Sequence, residues 1–225
     1  FRFGASALSL PQLSGGLGFD GRDLSLLRVL LVSSAGQLQV DGRVGLLSAV
    51  PAVALRIAAQ ADVYAIAAWF PEAGHLAGGL TGDATIRGSL ADPSATFHLH
   101  AARLDVGSSR GSNVDIRGTV NARGISVDAA SADLWRGHVD VSGALSFGDG
   151  PHRVAVTARD VDAATAAAAI SGQLRVAPAG RVTLVATGTG ATTTLADWQW
   201  RARLEVGESV NATGRVAWPG EADLR

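Results

Sequence analysis

The sequence predicts an all-β fold, a long meander of many short antiparallel strands with two short helices. Apolar and polar residues alternate along most of the 225-residue chain, as in Gln37–Val44 and Val114–Val120. Successive side chains of a strand point to opposite faces, so this period gives each strand one apolar and one wet face. Antiparallel sheets commonly have this pattern. Turn residues such as Gly148–Pro151 separate the alternating runs.

Two stretches break the alternation and predict short helices at about residues 62–70 and 162–171. Each begins after an aspartate, Asp62 or Asp162, a residue type that caps helix N-termini. Apolar residues then follow at the spacing of one helix face. They are Val63, Ile66, Ala67 and Phe70 in the first stretch, and Ala163, Ala166, Ala167 and Ile170 in the second.

An internal repeat of about 100 residues organises the chain. Ala102–Ser109 recurs as Ala202–Ser209, and Gly36–Val44 matches Gly137–Leu145. We therefore expect a partial first unit over 1–100, a second unit over 101–200 and the start of a third over 201–225. A fixed-period β repeat predicts an elongated array in which each unit stacks on its neighbours.

Composition excludes several classes of protein. The 19 basic residues, all arginine, meet 20 acidic ones, and the net charge of −1 argues against a nucleic-acid partner. Without cysteine the chain has no thiol nucleophile, disulfide or cysteine-ligated metal. There is no methionine even at position 1, so we expect a piece of a longer protein. The most apolar stretch, Val44–Ala59, is interrupted by Pro51 and Arg56 and is too short to span a membrane.

No residue pattern predicts catalysis or a cofactor. His98 and His100 share one face of a strand, but alternation places both on the wet side and no third ligand is near in sequence. Gly188–Thr193 lacks the third glycine of a dinucleotide-binding loop, and no serine lies in a G-x-S-x-G motif. We therefore predict that the protein is not an enzyme and holds neither metal nor cofactor.

The order of these features resembles the AsmA-like superfamily and, within it, the TamB family of the translocation and assembly module. Gly79–Pro93 resembles that family's run of glycines and alternating apolar residues before a proline. The similarity covers about residues 20–218, including the short helix after Asp62. It implies an elongated antiparallel sheet curled into an open trough, a β-taco, whose apolar concave face shields lipid acyl chains.

The apolar residues of the alternating runs are the predicted lining of this trough. Many of their neighbours on the same face are Ala or Gly, which fill little volume and would leave room for an acyl chain. Each buried methylene contributes about 0.8 kcal/mol, so lipid tails need no specific polar contact. The predicted lipid-binding residues are Leu38, Val40, Val44, Leu55, Ile57, Ile86, Phe97, Leu99, Val114, Ile116, Val120, Val139, Val141, Leu145, Val154, Val156, Leu184, Trp198, Trp200 and Leu204.

The resemblance also implies where such a chain acts and with what. The expected protein is a segment of a periplasmic, bridge-like lipid-transfer protein that carries phospholipid between the inner and outer membranes. An anchor outside this chain would hold it to the inner membrane, and an Omp85-type outer-membrane barrel is an expected partner. The alternatives are a scaffold for outer-membrane protein assembly and a β-solenoid adhesin. From periodicity alone, an ordinary β-sandwich or solenoid also remains open.

Overall fold

The computed structural model describes residues 2–3, 6–7, 12–47, 51–67, 76–107, 109–148, 150–166, 180–192 and 197–206. Within these residues, twelve strands form one antiparallel sheet in which each strand pairs with its neighbours in sequence. A separate pair of two-residue strands lies near the N-terminus. The prediction of an all-β antiparallel meander is confirmed.

The elements follow the chain in order. They are β1 (Arg2–Phe3), β2 (Ser6–Ala7), β3 (Gln12–Phe19), β4 (Asp23–Ser33), β5 (Gly36–Gly45), β6 (Ala52–Asp62), α1 (Val63–Ala67), β7 (Leu76–Ser89), β8 (Pro93–Val106), β9 (Ser109–Asn121), β10 (Gly124–Leu134), β11 (Gly137–Ser146), β12 (His152–Asp162), β13 (Arg181–Gly190) and β14 (Gln199–Val206).

The large sheet is curled and unclosed, so the predicted open trough is confirmed. Strands β3 and β14 are its two edges and do not pair with each other. The main contacts of each strand are with the strands beside it in the same sheet. For the described residues this arrangement excludes a β-sandwich, because a sandwich needs a second sheet facing the first.

The strands are longer than the alternating runs of the sequence suggest. Strand β4 has 11 residues and β8 has 14, although alternation fails within both. In β4 the register shifts around Arg28, whose φ is 48°. In β12 it shifts near Asp160, whose φ is 53°. These β-bulges insert an extra residue that lets pairing continue after the alternation breaks, and they bend the strand.

Both predicted helices begin where the sequence places them. Asp62 Oδ1 accepts a hydrogen bond of 2.9 Å from the backbone N–H of Tyr64 at the start of α1. Asp162 Oδ1 accepts one of 2.8 Å from the backbone N–H of Thr165, in a helical turn over 163–166. Residues 68–70 and 167–171 of the predicted helices lie outside the described residues. No helix in the described part of the chain is long and apolar enough to cross a membrane.

The strand order repeats along the chain. Strands β4, β5 and β6 with α1 recur as β10, β11 and β12 with the helical turn 163–166, at a separation of about 100 residues. The predicted unit boundaries at residues 100 and 200 fall within β8 and β14. Most of the predicted third unit, 201–225, lies outside the described residues.

We expect Gly42→Ala to destabilise the sheet, whereas Gly18→Ala changes stability little. Gly42 has φ 139°, a conformation that L side chains rarely adopt, and an added Cβ would collide with the carbonyl oxygen of Ala54. At Gly18 the nearest atom to an added Cβ is Ser25 Cβ at 3.8 Å. Urea unfolding followed by far-UV circular dichroism should show a loss of about 1–3 kcal/mol for Gly42→Ala. Equal stability of the two variants would contradict this account.

Candidate functional site

Strand register aligns apolar residues into a continuous row that crosses all twelve strands of the large sheet. We call it the central row; it takes one residue from each strand, and each residue lies directly opposite the next. Its members are Leu13, Leu31, Leu38, Ala59, Gly82, Leu99, Ile116, Ala130, Val141, Val156, Ala186 and Ala202. None of them is polar, so nothing interrupts the row.

Two further rows run parallel to the central row on the same face, both on one side of it, and the second row lies between the central and third rows. The second row, from β4 to β14, consists of Val29, Val40, Ile57, Ala84, Phe97, Gly118, Val127, Gly143, Val154, Gly188 and Trp200. The third row, from β3 to β11, consists of Leu17, Leu26, Gly42, Leu55, Ile86, Ala95, Val120, Ile125 and Leu145. Together the three rows form the main part of one face of the sheet, which we call the apolar face.

The apolar face is long and only partly covered. With neighbouring strands about 4.8 Å apart, twelve strands extend the central row over roughly 50 Å. Many of its larger side chains, such as Leu38, Leu99, Ile116 and Val141, are half-buried. Toward the β3 edge, Leu13 and Leu17 are 66% and 69% exposed. The described residues therefore leave part of the apolar face exposed to solvent.

All twenty predicted lining residues lie on the apolar face. Those outside the three rows extend the face toward the strand ends: Val44 lies opposite Val53, and Val114 lies opposite Ala101. A shorter row contains Val139, Ala158, Leu184 and Leu204. Trp198, in the turn before β14, lies over Gly190 beside His152.

Sequence reasoning missed several lining residues of β4. Val29 and Leu31 occupy the second and central rows, yet the run from Leu26 to Val32 does not alternate. The bulge at Arg28 accounts for this, because it restores the apolar side chains to the same face after the break. The sequence signal for this bulge is Arg28, a charged residue with a pair of apolar residues on each side.

Large side chains occupy part of the space that small residues were expected to leave open. A Cβ added at Gly118 would lie 2.7 Å from Phe97 Cζ, and one at Gly188 would lie 2.8 Å from Trp200 Cε3. Each aromatic ring therefore lies over the glycine opposite it in the second row. The alternation of large and small residues makes the floor of the trough more even than the sequence suggested.

A helical turn covers one end of the apolar face. Ala166, in the turn 163–166, packs with Val139, Ala158 and Val161 in a buried cluster. Leu134, Trp135, Val141, Val156, Val182 and Leu184 pack against this cluster. Here the chain supplies its own cover, and the predicted lining residues Val139 and Leu184 belong to a local core as well as to the face.

Three stacked rings lie at the β14 end of the face. The ring of His152 is 5.8 Å from that of Trp198, with the planes 5° apart, and Trp198 lies 5.8 Å from Trp200. His152 is 2% exposed and its Nδ1 accepts a 3.1 Å hydrogen bond from the backbone N–H of Ser146. The indole N–H of Trp198 donates to the carbonyl of Thr192 at 2.8 Å. These hydrogen bonds fix the stack in position.

The opposite face of the sheet is polar and carries the ion pairs. His98 lies on this face, as predicted, and its Nε2 is 2.6 Å from Asp115 Oδ2. Hydrogen bonding by His98 lowers the pKa of Asp115 below its ordinary value. Arg117 Nε is 3.2 Å from the same carboxylate. Among the described residues, no three His, Cys, Asp or Glu side chains are grouped to hold a metal ion.

His138 is held between two carboxylates on this polar face. Its Nδ1 is 3.0 Å from Asp133 Oδ1 and its Nε2 is 3.3 Å from Asp140 Oδ1. The hydrogen bond that His138 donates to Asp133 raises the pKa of His138 above the ordinary value, and the charge of Asp140 adds to the effect. Arg159, opposite His138 in the register, pairs with Asp140 at 2.8 Å.

The geometry of the sheet defines a kind of surface and identifies no family. A single unclosed sheet, with one apolar face along its length and a charged face behind it, can take up hydrocarbon through non-directional contact and needs no reactive group. Comparisons with protein-family models, with curated proteins and with solved structures find no match to this chain. The AsmA-like resemblance therefore rests on the sequence features alone.

Asp133→Asn should lower the pKa of His138 toward the ordinary value, because it removes the hydrogen-bonded carboxylate. The raised pKa means that protonation favours the folded state; this contribution is full below about pH 6.5 and fades as the pH rises through the folded pKa. An NMR titration of the imidazole protons measures the change. Asp83→Asn, on the same polar face beside His98, is the control and should leave the titration of His138 unaltered. An unchanged midpoint in Asp133→Asn would refute the assignment.

Proposed function

We propose that this chain is a lipid-binding segment of a bridge-like lipid-transfer protein, whose apolar trough holds the acyl chains of phospholipids. The observation that carries the proposal is the central row, which places an apolar residue on each of twelve consecutive strands without interruption. The proposed function is passive. No residue reacts; the row offers hydrocarbon an apolar path alongside water.

The energetics favour a hydrocarbon occupant. Half-buried side chains on the three rows leave apolar surface in contact with water when the trough is empty, and a contiguous surface of that kind marks a binding site. Each methylene transferred from water to the trough contributes about 0.8 kcal/mol. Because this attraction has no preferred direction, an acyl chain can slide from one strand to the next without losing it.

The wider setting of the proposal comes from the AsmA-like resemblance. We propose that the chain works in the periplasm of a diderm bacterium, within a protein anchored to the inner membrane. An Omp85-type outer-membrane barrel is the proposed partner at the far end. The elongated single sheet supports this setting because a bridge between membranes must be long in one direction.

The two sheet edges support a second candidate function, a scaffold for outer-membrane protein assembly. Within the described residues, β3 and β14 each pair with one strand only. Exposed strand edges accept an extended segment of another protein by adding a strand. Leu13 and Leu17 on β3 are also largely exposed. In this case the ligand is a polypeptide rather than a lipid.

A photo-crosslinking amino acid distinguishes the two functions. We expect benzoylphenylalanine at Val141, in the central row, to form lipid adducts with vesicles prepared from envelope membranes of a diderm bacterium. At Ser142, the next residue on the same strand but on the polar face, it should form none. Mass spectrometry of the isolated chain identifies the adducts. Adducts with outer-membrane proteins formed by the same probe at Leu17, on the edge strand β3, would favour the scaffold. Equal lipid labelling at Val141 and Ser142 would overturn the trough.

We also expect Ile116→Asp to weaken binding of a fluorescent dialkylglycerol at least tenfold, because it places a carboxylate in the central row. The matched control, Thr119→Asp, adds the same charge to the polar face of the same strand. Binding isotherms measure the effect, and far-UV circular dichroism verifies that both variants fold. Unchanged affinity in a folded Ile116→Asp variant would argue against hydrocarbon binding in the central row.

A further inference from the structure

A groove lined with arginines lies where the β10–β11 hairpin meets the ends of β8, β9 and β12. It encloses about 630 Å³ and carries four guanidinium groups, from Arg103, Arg110, Arg136 and Arg159. Trp135, in the hairpin, also lines the groove and packs against the buried cluster on the apolar face. Asp133, His138 and Arg159 place the groove on the polar side of the sheet. Trp135, at the tip of the hairpin, connects it with the apolar face around the ends of the strands.

The carboxylates in the groove wall are engaged by other groups. Asp133 accepts one hydrogen bond from Asn113 at 2.6 Å and has His138 Nδ1 at 3.0 Å. Asp160 pairs with Arg181 at 2.7 Å. Neither carboxylate forms an ion pair with a guanidinium that lines the groove. The guanidinium groups of the groove therefore pair only with carboxylates that do not line it, such as Asp105 and Asp140.

These carboxylates balance only part of the positive charge of the groove. Arg103 and Arg110 share a single carboxylate, Asp105, at 3.0 Å and 3.1 Å. Arg110 uses Nε for this contact, which leaves its terminal nitrogens available. Arg136 makes no side-chain hydrogen bond or ion pair with the described residues; only its carbonyl is bonded, by Arg181. Arg136 also interacts electrostatically with Asp162, whose pKa it helps to lower. Arg110 and Arg136 thus have guanidinium nitrogens that hydrogen-bond to no described residue.

The first repeat has no such charge at the corresponding hairpin. A groove of about 910 Å³ lies beside the β4–β5 hairpin and the end of β6, and no arginine lines it. In the aligned repeat, Ala35 and Gln37 stand where the second repeat has Arg136 and His138. The two hairpins occupy equivalent places in the repeated strand order, so the arginines are a feature of this groove and not of the fold.

We propose that the arginine groove binds a phosphate group. The identity of that group rests on the proposed function, in which it is the phosphodiester of a lipid whose acyl chains occupy the trough. Guanidinium donors match phosphate oxygens in geometry and bind them through charge-assisted hydrogen bonds. Trp135, at the hairpin tip, contacts both the groove and the cluster on the apolar face, so one lipid can reach both by bending around the ends of the strands. The groove adds recognition of a headgroup to a trough that by itself recognises only hydrocarbon.

Isothermal titration of the full chain with three probes tests this proposal. The probes are dihexanoyl phosphatidylglycerol, dihexanoylglycerol, which lacks phosphate, and inorganic phosphate. We expect Arg110→Gln/Arg136→Gln to weaken phosphatidylglycerol binding about tenfold and to leave dihexanoylglycerol binding unchanged. The control Arg43→Gln/Arg87→Gln removes the same charge from exposed positions of the first repeat and should change neither. Rising salt should weaken the phosphate-dependent part.

The outcomes separate the groove from the trough. Unchanged phosphatidylglycerol affinity in the groove variant, or an equal loss in the control, overturns the phosphate site. Inorganic phosphate that binds as tightly as the lipid, and is lost with the groove variant, supports the site but assigns it to a free anion. If neither lipid binds while phosphate binding still depends on Arg110 and Arg136, the trough proposal fails and the groove stands.

Discussion

Cross-strand register is the constraint on which the rest of this structure depends. A side chain's face alternates with every residue, so a slip of one position would turn a strand's apolar side chains to the charged face. Here Leu99 meets Ile116 and Val141 meets Val156, and the same agreement holds in every pair of the large sheet. The polar face is kept in register by the same pairing, which brings His138 opposite Arg159. One alignment thus separates hydrocarbon contact from ion pairing.

Irregular positions preserve that alignment while they shape the sheet. Each bulge, as at Arg28 and Asp160, introduces an additional residue and bends its strand. Without them, strands of this length would pass apolar residues to the wrong side wherever the sequence breaks its period. The rings of Phe97 and Trp200 have a different effect. They fill the space above Gly118 and Gly188, because glycine has no side chain, and so keep the face even. The curl of the sheet and the continuity of its apolar face therefore both depend on these local irregularities.

The sequence predicted the fold class, the helix starts and the face of each lining residue, because alternation and aspartate caps are local signals. Asp62 and Asp162 cap the helices as their positions indicate. It could not predict strand length, since the bulge at Arg28 is visible only once the pairing of β4 with β5 is known. Nor could it group Arg103 with Arg136, which are far apart in sequence and meet through three hairpins. Sites built from strand ends depend on register, which alternation alone does not supply.

The purely sequential order of the strands has a consequence for how the molecule is made. Every pairing in the large sheet joins neighbours along the chain. Most of them close a short hairpin loop at small entropic cost, and the longer connections, 63–75 and 163–180, each begin with a short helix. Low contact order of this kind allows the sheet to zip up one strand at a time as the polypeptide emerges, without waiting for a distant partner. Growth from one edge also leaves a fresh template for the next strand at each step. A protein of this kind can be made longer by adding further copies of its repeat within a single covalent chain.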